Sequence, residues 1–321
     1  MDPGKKQLLI MKKNIRMKKL TFIIFLLAGI TAYSQQDPLF TQYMFNKQVV
    51  NPAYAGSREV LTIDVLDRIQ WVGIEGAPHT LTFGAHMAMR NRSVGLGFYG
   101  YRDALGPAIN QGLMATYAYR IFFEQSSLAF GLQGGIKYFD FDWNMIRVKY
   151  PDEYFYPREV RRITPDFNLG VYFQSPRFFA GLSSKQLLEN EYGISETSSG
   201  ATSFTRLMRH FYLMGGAIFP LNDIIAFRPS LLGKYVKNAP PQLDLNASFQ
   251  FDKTFWIGAS YRTMHAIAFL AEFQLKPWMR LGYSFDVYLN ELLPHNYGSH
   301  EFRLGFDVNV YQFRMKTPRY F

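Results

Sequence analysis

The 321-residue chain contains no cysteine. That single absence removes a disulfide framework, a thiolate metal site, a cysteine nucleophile and a lipid-modified cysteine anchor. Beyond residue 32 the chain also lacks any apolar run long enough to cross a bilayer as a helix. A membrane-spanning form must therefore be a barrel, in which backbone groups pair between strands. A surplus of positive charge is missing as well, once the N-terminus is set apart. The formal charge is +10, but residues 1–34 hold seven Lys/Arg and one Asp, and 28 basic and 24 acidic residues remain after them. No basic patch is left to argue for nucleic acid. Nor is there an HExxH or G-x-S-x-G string, and no motif calls for a metal or cofactor.

What is present begins with an export signal. Lys12, Lys13, Arg16, Lys18 and Lys19 precede the apolar run 20–32, and the small residues Ala32 and Ser34 suit cleavage after Ser34. The chain is expected to divide into an N-terminal extension with signal peptide (1–34), a lumen plug or periplasmic segment (35–57) and a barrel (58–321). In the middle segment Phe40, Tyr43 and Met44 would share one side of a short helix, stopped by Asn51-Pro52.

From Leu61 onward the dominant pattern has a period of two. Phe302, Leu304, Phe306 and Val308 alternate with Arg303, Gly305, Asp307 and Asn309, and Leu243, Leu245, Ala247 and Phe249 alternate with Asp244, Asn246 and Ser248. One face of each strand suits lipid and the other a polar interior. About fourteen such strands can be counted, the even number that returns the chain to its starting side. The connections follow a parity rule. Every second one can be long (68–77, 141–164, 185–206, 290–298), and the intervening ones are clipped (90–92, 124–126, 175–176, 220–223, 252–253, 276–277). Outer-membrane barrels have short periplasmic turns and longer outer loops. The fold class read from the chain is all-β: a transmembrane up-and-down antiparallel barrel in the outer membrane of a Gram-negative bacterium, with both termini periplasmic. Aromatics make up 17% of the residues. Among them Trp256, Trp278, Tyr288 and Tyr311 fall near strand ends, as a headgroup girdle requires.

Candidate chemistry is sparse. His295, His300 and Glu301 lie close in sequence and suit either acid/base work or a polar loop before the last strand. The glycines of 95–100 resemble a phosphate loop only in number, because they lie within a strand, where they make room in the lumen or relieve curvature. The long connection 141–164 gathers Tyr150, Tyr154, Phe155 and Tyr156 with Arg158, Arg161 and Arg162. Aromatic and arginine side chains together suit a protein-binding surface, or a cap over the barrel mouth.

Several local strings stand out: Asn51-Pro52-Ala53-Tyr54-Ala55-Gly56, Gln70-Trp71 with Gly73, Gly76-Ala77-Pro78 with Thr80, and Gly298-Ser299-His300-Glu301. In this order and spacing the chain resembles the PorP/SprF family of outer-membrane proteins associated with type IX secretion and gliding motility. The resemblance spans the mature chain, from Gln36-Asp37-Pro38 to the closing Pro318-Arg319-Tyr320-Phe321. It implies a non-enzymatic barrel that helps export a partner, or anchors it at the cell surface, beside other secretion components. The implied partner is an adhesin-like secreted protein, recognised through its C-terminal domain. Rival readings are a passive diffusion channel and an outer-membrane hydrolase using His300 and Glu301.

Overall fold

The computed structural model describes residues 37–58, 60–142, 145, 160–196, 202–263, 266–289 and 293–311. The leader 1–34 lies outside them. In chain order the strands are β1 (Leu61–Ile69), β2 (His79–Ala88), β3 (Val94–Leu105), β4 (Ala108–Phe122), β5 (Ser127–Phe141), β6 (Val160–Gln174) and β7 (Phe178–Lys185). They continue with β8 (Glu191–Glu196), β9 (Thr202–Arg206), β10 (His210–Ala217), β11 (Phe219–Pro220) and β12 (Ile225–Val236). The last are β13 (Gln242–Phe251), β14 (Phe255–Arg262), β15 (Ala266–Lys276), β16 (Met279–Tyr288) and β17 (Ser299–Val308).

Fourteen of these form one closed antiparallel ring. Neighbours in sequence pair throughout, β7 pairs with β10, and β1 closes against β17, with Leu61 opposite Val308. β11 continues β10 past Ile218 and keeps pairing with β12. β8 and β9 make a separate hairpin inside the connection between β7 and β10. Closure leaves no edge strand inside the bilayer, which is the condition for a sheet to live in lipid.

The alternation in sequence becomes an inside-out distribution of polarity. Leu243, Phe249, Phe273, Leu281, Phe302 and Leu304 are exposed on the outer surface, whereas Asp64, Arg68, Asp244, Glu272, Asp286, Glu301 and Arg303 are buried. A water-soluble sheet sandwich places apolar side chains inside, so the outer surface here is matched to hydrocarbon.

Three expectations change. The strands run further than the sequence pattern marks: β1 continues to Ile69, and β6 begins at Val160 and pairs with β5 over its whole length. Arg68, Arg161 and Arg162 are therefore strand residues, because pairing carries on past the apolar band. The girdle is also divided. Trp278 is outside, stacked on Phe306 with ring centroids 6.2 Å apart, but Trp256 and Tyr288 are buried. Both stand at inward parity: Trp256 faces Glu272 across the β14–β15 pair, and the Tyr288 hydroxyl lies 3.4 Å from Gln70 Oε1. Finally, residues 41–45 form turns, followed by 3-10 turns at Lys47–Val49 and Pro52–Tyr54, where a short amphipathic helix was expected. An amphipathic helix needs one wall to bury against; this segment is enclosed on all sides, and its backbone groups find partners on the strands.

Candidate functional site: the occupied lumen

Residues 37–57 lie inside the ring, and two kinds of wall hold them. On the wall built from β1, β16 and β17 the contacts are ionic. The backbone N–H groups of Thr41 and Gln42 donate to the two carboxylate oxygens of Glu301 at 2.9 and 2.8 Å. The Gln42 side-chain amide donates to the Glu301 carbonyl at 3.0 Å. Arg68 bridges Glu301 at 2.9 Å and Asp286 at 2.7 Å, and the Thr41 hydroxyl donates to Asp286 at 2.8 Å. Asp286, Arg68 and Glu301 are all 0% exposed. One turn deeper, Arg303 is shared by Asp64 and Glu272 and donates to the Phe45 carbonyl at 3.1 Å. Near the end with the short turns, Arg58 pairs with Asp307 at 2.7 Å and Arg280 reaches the same carboxylate at 3.0 Å. In so dry an environment each charge requires its partner, because an orphaned buried ion costs several kcal/mol.

The opposite wall, from β3 to β7, is built for backbone-to-backbone approach. Methyl groups added at Gly95, Gly131 or Gly170 would overlap Ala55, Ala53 and Asn51 respectively. The glycines read from sequence as lumen space serve that purpose at Gly95 and Gly97, which receive Ala55 and Gln48. Asn51 organises the contact. Its side-chain oxygen accepts from the Ala53 N–H at 2.9 Å, capping the turn that Pro52 starts, and its amide donates to the strand carbonyls of Val171 and Leu182 at 2.9 and 3.2 Å. Gly56 has φ +74°, a conformation that favours glycine, and it lies against Gly95 while its N–H donates to His86 Nδ1 at 3.1 Å. Arg120 closes this end with bonds of 2.9 and 3.0 Å to the carbonyls of Gly56 and Ala55. Between the walls, Tyr43, Ala53 and Tyr54 are buried with Tyr172, Met214 and Phe179. The Lys47 ammonium sits over the Phe179 ring at 4.6 Å and donates to the Met44 carbonyl at 2.8 Å. Cavities of about 20 Å³ flank the segment beside Tyr43 and beside Met44, each with room for a single water.

The segment runs the length of the lumen. Asp37 pairs with Lys185 at 2.8 Å and with Gln186, where β7 ends and a long connection begins. Gly56 and Arg58 lie at the other end, where β2, β4 and β17 finish. Leu61 and Val308 share the short-turn end, as an even ring requires, yet Asp37 stands at the opposite end. Asp37 and Val308 thus stand at opposite ends of the ring, since the chain crosses the lumen once before β1; the termini themselves lie outside the described residues.

The remaining sequence-nominated residues scatter. His300 and Glu301 are adjacent but point to opposite faces: Glu301 is 0% exposed inside, and the half-exposed outer His300 meets the Tyr283 hydroxyl at 2.8 Å. They cannot act as one acid/base pair, and no group of potential metal ligands occurs among the described residues. Gln70 and Trp71 pack at the rim, where the Trp71 N–H donates to Ser299 Oγ at 3.1 Å, and Gly76 and Pro78 shape the β1–β2 connection by accepting from the Gly106 and Gln70 N–H groups at 2.8 and 2.9 Å. Arg161 faces outward, its Nε 3.6 Å from Asp140, and Arg162 takes the inward parity. Tyr150, Tyr154, Phe155, Tyr156 and Arg158 lie outside the described residues. The sequence reading missed Arg68, Asp286 and Arg303 as a set, although each stands at an inward position of the alternation that identified the strands.

A closed ring of antiparallel strands, apolar outside and lined with polar groups inside, is an outer-membrane β-barrel, here with its interior taken up by its own N-terminal segment. A sequence-family model described as type IX secretion system membrane protein PorP/SprF matches residues 32–306, and the chain belongs to that family. No curated protein matches it. Among solved structures it is similar to the monoaromatic hydrocarbon channel CymD, with a TM-score of 0.51 and 11% identity over 88% of this chain and 96% of the other. The Ralstonia pickettii toluene transporter TbuX aligns with a TM-score of 0.48 and 6% identity over 82% and 93%, and Omp33 of Acinetobacter baumannii with 0.45 and 7% over 78% and 99%. The first of these supports the barrel fold and nothing finer.

Proposed function

We propose that the protein is a non-enzymatic, plugged accessory barrel of the type IX secretion system, which helps export a partner protein or holds it at the cell surface. The observation that carries this reading is the occupied lumen. A diffusion channel needs a continuous water path, whereas here Thr41 and Gln42 are locked to Arg68, Asp286 and Glu301 on one wall and Asn51 to the Val171 and Leu182 carbonyls on the other. With the interior spent on its own chain, the work falls to the rims. Catalysis has no support in the site, since the nominated His300 and Glu301 are separated by the sheet itself.

The short turns face the periplasm and the long connections face out, in keeping with the asymmetry of such barrels. The partner-binding surface is then the pair of long connections, 142–159 and 186–209, including Tyr150, Tyr154, Phe155, Tyr156 and Arg158 with Arg161 and Arg162 at the root. The partner is a secreted adhesin-like protein presented by its C-terminal domain, and the other secretion components meet the periplasmic turns. Deleting the gene tests this directly: a surface adhesin is expected to be lost from the cell or shed into the medium. Unaltered export and attachment of every type IX substrate would refute the role. Steady conductance of the purified barrel in planar bilayers would refute the plug.

A further inference from the structure

The direction of residues 37–58 bears on which mouth of the barrel the mature chain starts from. Strand polarity gives each contact a height. Asp37 meets the C-terminal end of β7, and Thr41 meets Asp286 near the end of β16 and Glu301 at the start of β17. Asn51 meets the mid-strand carbonyls of Val171 and Leu182, and Arg58 meets Asp307 at the end of β17. The segment therefore descends from the long-connection mouth, at Asp37, to the short-turn end, at Arg58.

We propose that the mature N-terminus is displayed at that mouth, on the opposite side from the C-terminal end of β17. Cleavage after Ser34 would leave two residues before Asp37, a reach of at most about 7 Å. The new terminus would therefore sit on the rim near Lys185 and Gln186.

The absence of cysteine makes the test clean. Single replacements Gln36→Cys, Asp152→Cys and Phe321→Cys are labelled with a membrane-impermeant maleimide in intact cells and again after the outer membrane is permeabilised. Residues 36 and 152 are expected to label in intact cells and residue 321 only after permeabilisation. Labelling of residue 36 together with 321, and apart from 152, overturns the inference. If 36 and 152 both stay silent in intact cells while 321 labels, the threading stands and the orientation proposed above fails, so the two claims part company.

Discussion

The two walls of the lumen hold the same short segment by unlike physics. The wall of β1 and β15 to β17 uses charge: Arg68, Arg280 and Arg303 are interleaved with Asp64, Glu272, Asp286, Glu301 and Asp307, and the segment contributes backbone groups to that lattice. The β3 to β7 wall uses the absence of side chains, so that Asn51 to Gly56 touches strand backbone at Gly95, Gly131 and Gly170. A charge lattice fails abruptly, because losing one member strands the rest without water. A glycine surface fails by steric overlap, in proportion to what is added. Register and direction of the segment are thus set on one side by pairing and on the other by fit.

The largest effect is expected on the charged wall. Glu301→Ala leaves Arg68 with half its pairing and the Thr41 and Gln42 N–H groups unsatisfied, and should cost roughly 3–5 kcal/mol, read as a lower urea midpoint for the barrel in detergent. Combined with Arg68→Ala, the loss should be smaller than the sum of the two single changes, because they share one network. Strict additivity would mean that the wall is not a lattice.

On the glycine wall, Gly131→Val places an isopropyl group, its Cβ first, against the Ala53 backbone and should cost about 1–3 kcal/mol. It should also loosen the plug, so that current steps appear in planar bilayers where the parent protein is silent. A silent variant of unchanged stability would show that the segment does not rest on that wall. Asn51→Ala removes one acceptor and two donated bonds and should cost about 1–2 kcal/mol of unfolding free energy. The smallest change is His300→Ala, on the outer face, which should move the urea midpoint by less than about 0.5 kcal/mol equivalent. A large loss there would return His300 to the functional core of the molecule.

Most of the barrel was legible in the chain. The run of inward Asp244, Asn246, Ser248 and Gln250 against outward Leu243, Leu245, Ala247 and Phe249 needs only the two-residue repeat of a strand, and the structure keeps that assignment. The short turns read at 175–176 and 252–253 were visible for the same local reason, and each proves one residue longer. Misreadings arose where the local signal carried no information about which face was wet. Trp256 and Tyr288 look like interface aromatics by their place near strand ends, yet both stand at the inward parity of their strands and are buried. Phe40, Tyr43 and Met44 have helical spacing, yet a segment enclosed on all sides gains nothing from an amphipathic helix. Arg68 was taken for the start of a loop, though Thr62, Asp64 and Leu66 before it continue the same inward series.

The sequence by itself determined the strands, the sidedness of each one and the alternation of long and short connections, because these follow from contacts a few residues apart. Tertiary structure alone decided what fills the barrel and in which direction. Thr41 and Glu301 stand 260 residues apart and meet only because β1 pairs with β17. A carboxylate that reads as half of a surface acid/base pair in the chain becomes, through that closure, the clasp on the protein's own N-terminal segment.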